Sequence, residues 1–351
     1  MTIRDSGMQG APITFRAYGT GARPTISNPG NGAGSFVIRI YGSWIVVQDF
    51  LLKDSGDAAV KIEPGANHNI VQDIEATNTG FGVYIEGQFN LVTQNYAHDL
   101  KMVKNTPGGD DDYGAAGFVI ANTDNEVSHN RCVNCRAPSY DYEYDGGVVE
   151  LWANADNAYI HHNYGSGSDG FLEVGGGSAR NVRVAYNVSD NNYLHFACLH
   201  NAGTFASVID NFRIENNTIA NTTAYGWSVL NCMDAPVTPT QLIFRNNIVV
   251  STFRVFNQSS FTHSNNLYQM LGNTSVGFTL TSTERIADPL FAKSANCPYM
   301  LQPSSPAIDG GIPLGYVVDF HGNPVRAVPT IGSHEYSPNS SFFVFLPLLV
   351  R

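Results

Sequence analysis

At 351 residues, with 43% hydrophobic side chains, the chain is long enough for one large domain or two ordinary ones. A formal net charge of −11 excludes the clustered basic surface that phosphate binding needs, so no nucleic-acid partner is expected. No run approaches the ~20 apolar residues of a membrane span, so no transmembrane segment is expected either.

The opening residues 12–27, PITFRAYGTGARPTIS, read as the middle of a repeat fold. An upstream segment carrying a secretion signal is therefore expected before Met1, and the protein is expected to be secreted or cell-surface. The 34 glycines and plentiful Asn and Thr, against only 14% charged residues, favour short strands joined by turns. From there an Asn or Asp recurs as a punctuation mark: Asp49, Asp73, Asn95, Asn130, Asn163, Asn187, Asn217, Asn247 and Asn266. Three residues earlier sit Val46, Ile70, Val92, Val127, Ile160, Val184, Ile214 and Phe244, then a break at His263. A second polar turn precedes most marks, at Ser43, Asn90, Asn125, Asn157, Asn181, Asn211 and Gln241.

The marks step by 24, 22, 35, 33, 24, 30, 30 and 19 residues, a basic coil of roughly 22–24 with loop insertions. One such unit cannot bury its apolar side alone, so successive units stack into a continuous core. Asn suits the corners because it tolerates the left-handed conformation and can bond along a ladder of equivalent residues. No 3.6-residue period persists, and runs such as SWIVVQDFLL read as strands. The expected fold class is all-β, a right-handed parallel β-helix (a solenoid) forming a single domain of nine to ten coils.

The two long steps place insertions at about 98–116 and 131–146. They leave consecutive coils, so they are expected side by side on one face, and long loops on a rigid solenoid usually carry function. Of the five cysteines, Cys132 and Cys135 lie within the second insertion. An odd count makes no complete disulfide set, so we expect buried thiols in the core over a local Cys132–Cys135 bridge.

Beyond the loops, two coils share a pattern: Asp145-Gly146-Gly147-Val148-Val149-Glu150 and Asp169-Gly170-Phe171-Leu172-Glu173. In register, Asp145 would stack near Asp169 and Glu150 near Glu173, on strands ~4.8 Å apart. Carboxylates that close raise one pKa, which keeps one of them protonated as a general acid near neutral pH. Glu150 and Glu173 are thus the candidate acid/base or nucleophile pair of a glycoside hydrolase, with Asp145 and Asp169 tuning their charge. Tyr140, Tyr142, Tyr144 and Trp152 are suited to stacking on sugar faces. Asp112, Arg136, His161, His195 and His200 complete the candidate substrate-binding set, and His162 beside His161 reads as a corner residue. Counted from the glycine three before it, Glu150 matches Ile85 and Ile120 of the two preceding coils. That count points it into the lumen, whereas its apolar neighbours on both sides leave the facing open.

The C-terminal stretch differs: SPAIDGG (305–311), DFHGNPVR (319–326) and IGSHEY (331–336). It resembles the closing segment of secreted bacterial β-helix repeat proteins, as residues 12–27 resemble their opening one. With the Asn-punctuated coils, this resemblance to the pectate-lyase-like, carbohydrate-active β-helix superfamily covers nearly the whole chain. It implies coils over 1–285, a closing segment over 286–337 and a separate apolar tail over 338–351. It implies a polysaccharide or oligosaccharide substrate and a monomer, but says little of the reaction, since one fold carries many chemistries.

The runs SDGF (168–171), DDDYG (110–114) and SYDYEYDGG (139–147) further resemble the Asp-rich coils of calcium-dependent pectate lyases. Under that alternative Asp112, Asp145 and Asp169 would bind Ca2+, and Lys101, Lys104 or Arg136 would be the base. No lysine reads as lying on a coil strand near these acids. The polygalacturonase order is missing, since NTD occurs once (122–124) and GHG and RIK are absent. No organic cofactor is implied. A non-catalytic carbohydrate-binding solenoid is the third reading.

Overall fold

The computed structural model describes residues 1–223, 226–233, 235–292 and 299–337. Cys297 and the apolar tail 338–351 lie outside the described residues. No helix forms among the described residues, and so none is long and apolar enough to cross a membrane. The strands instead stack into three parallel sheets of 10, 10 and 11 strands, and each coil gives one strand to each sheet in turn. The fold is a right-handed parallel β-helix.

One coil runs through Phe81–Ile85 in sheet 1, Leu91–Thr93 in sheet 2 and Tyr96–His98 in sheet 3. The next repeats it at Ala116–Ile120, Glu126–Ser128 and Arg131–Val133, paired in register with the first. Strands this short cannot hold together singly. Stacking pairs their backbone groups with both neighbours and merges their inward side chains into one lumen core. In sheet 1 the inward columns are Val60, Val83, Phe118, Val149, Leu172 and, two residues on, Ile62, Ile85, Ile120, Leu151, Val174. All ten belong to the main core, and burying side chains of this size is worth about 1.5–3 kcal/mol each.

The punctuation marks form the expected ladder, with a shift of register. Asn95, Asn130, Asn163, Asn187, Asn217, Asn247 and Asn266 are all buried. The side-chain carbonyl of each from Asn130 onward accepts the main-chain N–H of its predecessor at 2.8–2.9 Å. The left-handed residue is not the Asn but the one before it, as at Gln94, His129, His162 and Tyr186, with φ between 53° and 58°. Asp49 and Asp73 are themselves left-handed, at φ 67° and 50°, so they match Gln94 and not Asn95. Accordingly the N–H of Ile74, not of Asp73, donates to Asn95 Oδ1 at 3.0 Å. By the same shift, the buried strand positions of those coils are Val47 and Val71, and Val46 and Ile70 are only half-buried.

One further expectation changes. Cys132 and Cys135 are buried as expected but form a disulfide, so the local bridge replaces the pair of thiols. The closing segment lies along the flank of the coils. Asn246 Nδ2 donates to the Ile312 carbonyl at 2.9 Å, and Tyr316 Oη to Glu215 at 2.7 Å. His162 Nε2 reaches the Asp319 carbonyl at 2.8 Å, and the Ser333 N–H donates to Thr218 Oγ1 at 3.0 Å. Residues 312–333 therefore strap several coils together.

Candidate active site

The site is built on the outer face of sheet 1. Its strands are 5 residues long at Phe81–Ile85 and Ala116–Ile120, then lengthen to 8 at Gly147–Asn154 and 11 at Gly170–Arg180. One outward column reads Lys61, Tyr84, Val119, Glu150, Glu173, Cys198, Asn231. Glu150 thus matches Val119 and Tyr84, whereas Ile120 and Ile85 match Leu151. The count from the glycine fails because Gly147 pairs with Ala116 and not with Gly117. Val119 and Tyr84 sit in an apolar cluster outside the lumen core, so Glu150 and Glu173 face outward.

The adjoining outward column runs Ala58, Phe81, Ala116, Gly147, Gly170, His195. Gly147 clears a floor beside the glutamates. A Cβ on Gly147 would meet nothing nearer than the Gly170 carbonyl oxygen at 3.4 Å. At Gly170 the His195 ring already fills the space, with Nε2 2.4 Å from where a Cβ would lie. Beyond the glutamates, Trp152 packs over Gly175 and its ring centre lies 5.7 Å from that of Phe205.

The two glutamates have diverging proton affinities. Glu150 is held well above the usual carboxylate range by burial, then by the neighbouring charges of Glu173 and Asp145. Burial acts the same way on Glu173, but a 2.9 Å hydrogen bond from His200 Nε2, with the charge of His200, outweighs it and holds Glu173 low. Asp145 is raised well above its ordinary value by burial and by Glu173. Burial brings His195 down to about 4, a neutral ring, whose Nδ1 is buried without a partner. The arrangement favours negative charge on Glu173 over ionisation of Glu150 and Asp145.

Asp145 and Asp169 are not strand neighbours. Glu150 and Glu173 are in register, but Asp145 precedes its glutamate by one residue more than Asp169 does. Asp169, 5% exposed, instead binds the Arg136 Nε at 2.8 Å. The Arg136 guanidinium lies between the rings of Tyr144 and Tyr193, 3.4 and 4.1 Å from their centres. It therefore compensates a buried acid at the edge of the floor.

The two insertions do lie side by side. Each folds into a small antiparallel pair, Met102–Lys104 with Tyr113–Gly114 and Ala137–Ser139 with Glu143–Asp145. Asp112 ties them together, its carboxylate accepting from the N–H groups of Thr106, Tyr140 and Asp141 and from Ser139 Oγ. That role explains its burial without a ligand. Lys104 is paired with Asp111. Tyr140, 67% exposed, and Tyr142, whose hydroxyl donates to Asp110, sit on this loop tip and form a rim above the floor.

Of the residues assigned from sequence, Glu150, Glu173, Asp145, Asp169, Arg136, Trp152, His195 and His200 come together. His161 does not, for it lies in sheet 2, buried against His162 and hydrogen-bonded to Glu126. The three acids assigned to calcium form no common group. Among the described residues, the acids whose oxygens lie within 4.8 Å of one another are Asp111, Asp112 and Asp141. Lys61 is a coil-strand lysine of the same outward column, but it stands three strands from Glu150 and pairs with Glu86 at 2.8 Å. Tyr193, Phe205 and Cys198 were missed, and no local motif marks them.

No family model and no curated protein matches the sequence. Solved structures share its fold. Pectate lyase Pel9A is 14% identical with a TM-score of 0.62, covering 96% of this chain and 83% of that one. An alginate lyase from Paenibacillus sp. str. FPU-7 is 15% identical with a TM-score of 0.48, covering 78% of this chain and 87% of that one. A tailspike protein of E. coli bacteriophage HK620 is 12% identical with a TM-score of 0.47, covering 82% of this chain and 60% of that one.

Proposed function

We propose that this chain is a polysaccharide-cleaving enzyme and that Glu150 and Glu173 cleave a glycosidic bond by hydrolysis. The observation that carries this reading is the pair itself: two outward glutamates in register on neighbouring strands, one driven to its protonated form and the other held ionised. Breaking a glycosidic bond requires both states at once, a proton for the leaving oxygen and a negative charge facing the oxocarbenium-like carbon. Opposed shifts in adjacent carboxyls are the usual mark of such a division of labour. The glycine floor gives a sugar ring room beside the pair, and Trp152 with the Tyr140–Tyr142 rim supplies apolar faces for stacking.

Elimination is the second reading, and His195 favours it. A neutral imidazole with Nε2 over Gly170 is suited to removing a proton α to a uronate carboxylate, which protonated Glu150 and Asp145 would hydrogen-bond. The calcium form of this reading has less support, because Arg136 occupies Asp169 and the loop backbone occupies Asp112.

The test is a panel of polysaccharides assayed for new reducing ends and for the absorbance of unsaturated uronates, with and without EDTA. Reducing ends without the chromophore, indifferent to EDTA and lost in E150Q and E173Q, are expected. Chromophore insensitive to EDTA and lost in H195A would establish elimination instead. Silence on every polymer, with oligosaccharide binding intact in E173Q, would leave a binding solenoid.

A further inference from the structure

We infer, resting on the hydrolytic reading above, that cleavage proceeds through a covalent glycosyl-enzyme on Glu173 and therefore retains the anomeric configuration. The two glutamates are direct register partners on parallel strands of one sheet, both pointing outward. Such strands run ~4.8 Å apart. Two equal side chains projecting from that spacing hold their carboxyl groups near the ~5–5.5 Å of double displacement, short of the ~6.5–9.5 Å needed to seat a water between acceptor carbon and base. The pair stands in direct register, so the sheet's own hydrogen bonding fixes the backbone spacing from which both side chains project.

The roles follow from the partners. His200 Nε2 holds Glu173 Oε1 at 2.9 Å, and Oε2 has no protein partner among the described residues. Glu173 therefore presents one anchored and one open oxygen, as an attacking carboxylate requires. Glu150 lies one strand away on the side of the Tyr140–Tyr142 rim and takes the part of the acid.

In the first step a lone pair of Glu173 Oε2 forms a bond to the anomeric carbon. The glycosidic C–O bond breaks with its electron pair going to the leaving oxygen, which takes the Glu150 proton. In the second step the Glu150 carboxylate takes a proton from water, whose oxygen bonds to the anomeric carbon. The ester bond to Glu173 breaks and its electrons return to the carboxylate. One water is consumed and both side chains regain their starting states. His200 is a positioning residue and does not touch the sugar.

The experiment follows the polymer that the wild-type chain cleaves, with proton NMR of the anomeric region from the first minutes of digestion. The anomer of the original linkage is expected first, with the other appearing only by mutarotation, and added methanol should give the methyl glycoside of the same configuration. Mass spectrometry of an acid-quenched digest should find the sugar on a peptide containing Glu173. E173A, checked for wild-type thermal unfolding, should lose turnover and regain it with sodium azide as a glycosyl azide of opposite configuration. The inverted anomer as first product, with ordinary hydrolysis otherwise, would overturn this inference and leave the hydrolytic reading standing. Unsaturated product, or no cleavage of any polymer, would instead overturn the reading on which it rests.

Discussion

His200 Nε2 lies 2.9 Å from Glu173 Oε1, whereas Glu150, at the same register position one strand away, has no side-chain hydrogen-bond partner among the described residues. This asymmetry makes two chemically identical residues different. Replacing His200 by Asn removes the ring that outweighs the burial of Glu173, so the Glu173 pKa rises. The acid limb of kcat/KM should then move to higher pH, costing about tenfold for each pH unit below the new limb while activity near neutrality changes little. A pH–rate profile of H200N against wild type checks it. An unmoved acid limb would reduce His200 to a packing residue.

Glu150 and Asp145 are held protonated against their own chemistry, which makes them a cost to the fold. An acid whose pKa is raised on folding binds more protons folded than unfolded. Its stabilising effect is complete below about pH 4.5 or 3.8 and is lost as the pH rises toward the folded value. At pH 7, E150Q and D145N should therefore unfold at a higher temperature than wild type, and the gain should vanish near pH 4. E150Q should at the same time lose about 10²- to 10⁴-fold in kcat. Thermal melts at both pH values, with kcat measured at one, test the exchange of stability for function.

The coil, its Asn ladder, the paired insertions and the eight residues that assemble on sheet 1 were legible because each has a local cause. Asn95 through Asn266 are buried amides that must bond to one another, and a repeat cannot hide that. Register was harder. Asp49 and Asp73 look like ladder residues but are the left-handed corner before it. Glycines in neighbouring sheet-1 strands made Gly147 look equivalent to Gly82 and Gly117, and that count pointed Glu150 toward the lumen while its apolar neighbours left the facing open. One residue of slip reverses every side chain on a strand. Contacts between distant coils, such as Tyr193 on Arg136 or the strap on His162, leave no trace in local pattern. The Cys132–Cys135 bridge was discounted on a cysteine count, although its two Cα atoms stand 6.2 Å apart across one corner.

Gly170 is where floor and histidine compete for one space. A Cβ there would lie 2.4 Å from His195 Nε2 and push the ring out of its buried position. G170A should lower both the unfolding temperature and turnover, since overpacking costs about 1–3 kcal/mol. The double variant G170A/H195A should recover the stability and not the activity. A double-mutant cycle on melting temperature gives the coupling, and independent effects would show that the ring does not rest on this glycine.

The disulfide closes a loop of sequence separation 3 at the root of the second insertion, which carries Arg136, Tyr144 and Asp145. So short a loop removes little chain entropy, about 2 kcal/mol in the loop-closure model, and the stacked coils do not depend on it. The double variant C132A/C135A should melt only slightly lower. Its larger effect should be on KM, because the insertion it anchors lines the floor. Equal kcat and KM in the variant would show that the hydrogen bonds to Asp112 hold the insertion unaided.

The C-terminal strap rests on histidines that must stay neutral. His162, 6% exposed, reaches the Asp319 carbonyl, and His334 Nε2 lies 3.1 Å from His321 Nε2 beneath the same segment. Burial pulls His162 down to about 3 and His129 to about 4, and lowers His321 and His334 as well. Histidines depressed on folding contribute stability that is complete above about pH 6.5. It is lost progressively as the pH falls toward the folded values, where the unfolded chain binds the extra protons. Glu335, pushed up to about 7 by burial, works in the opposite direction between pH 4.5 and 7. Glu126, hydrogen-bonded to His161, is held low and adds a loss of its own only at more acid pH. At the strap, four lowered histidines stand against one raised glutamate, so this region's contribution to the unfolding temperature should fall from pH 6.5 to pH 4, against the gain that Glu150 and Asp145 bring over the same range. H162Q, which retains a donor for the Asp319 carbonyl but cannot titrate, should flatten that slope. A slope unchanged in H162Q would place the acid sensitivity elsewhere than the strap.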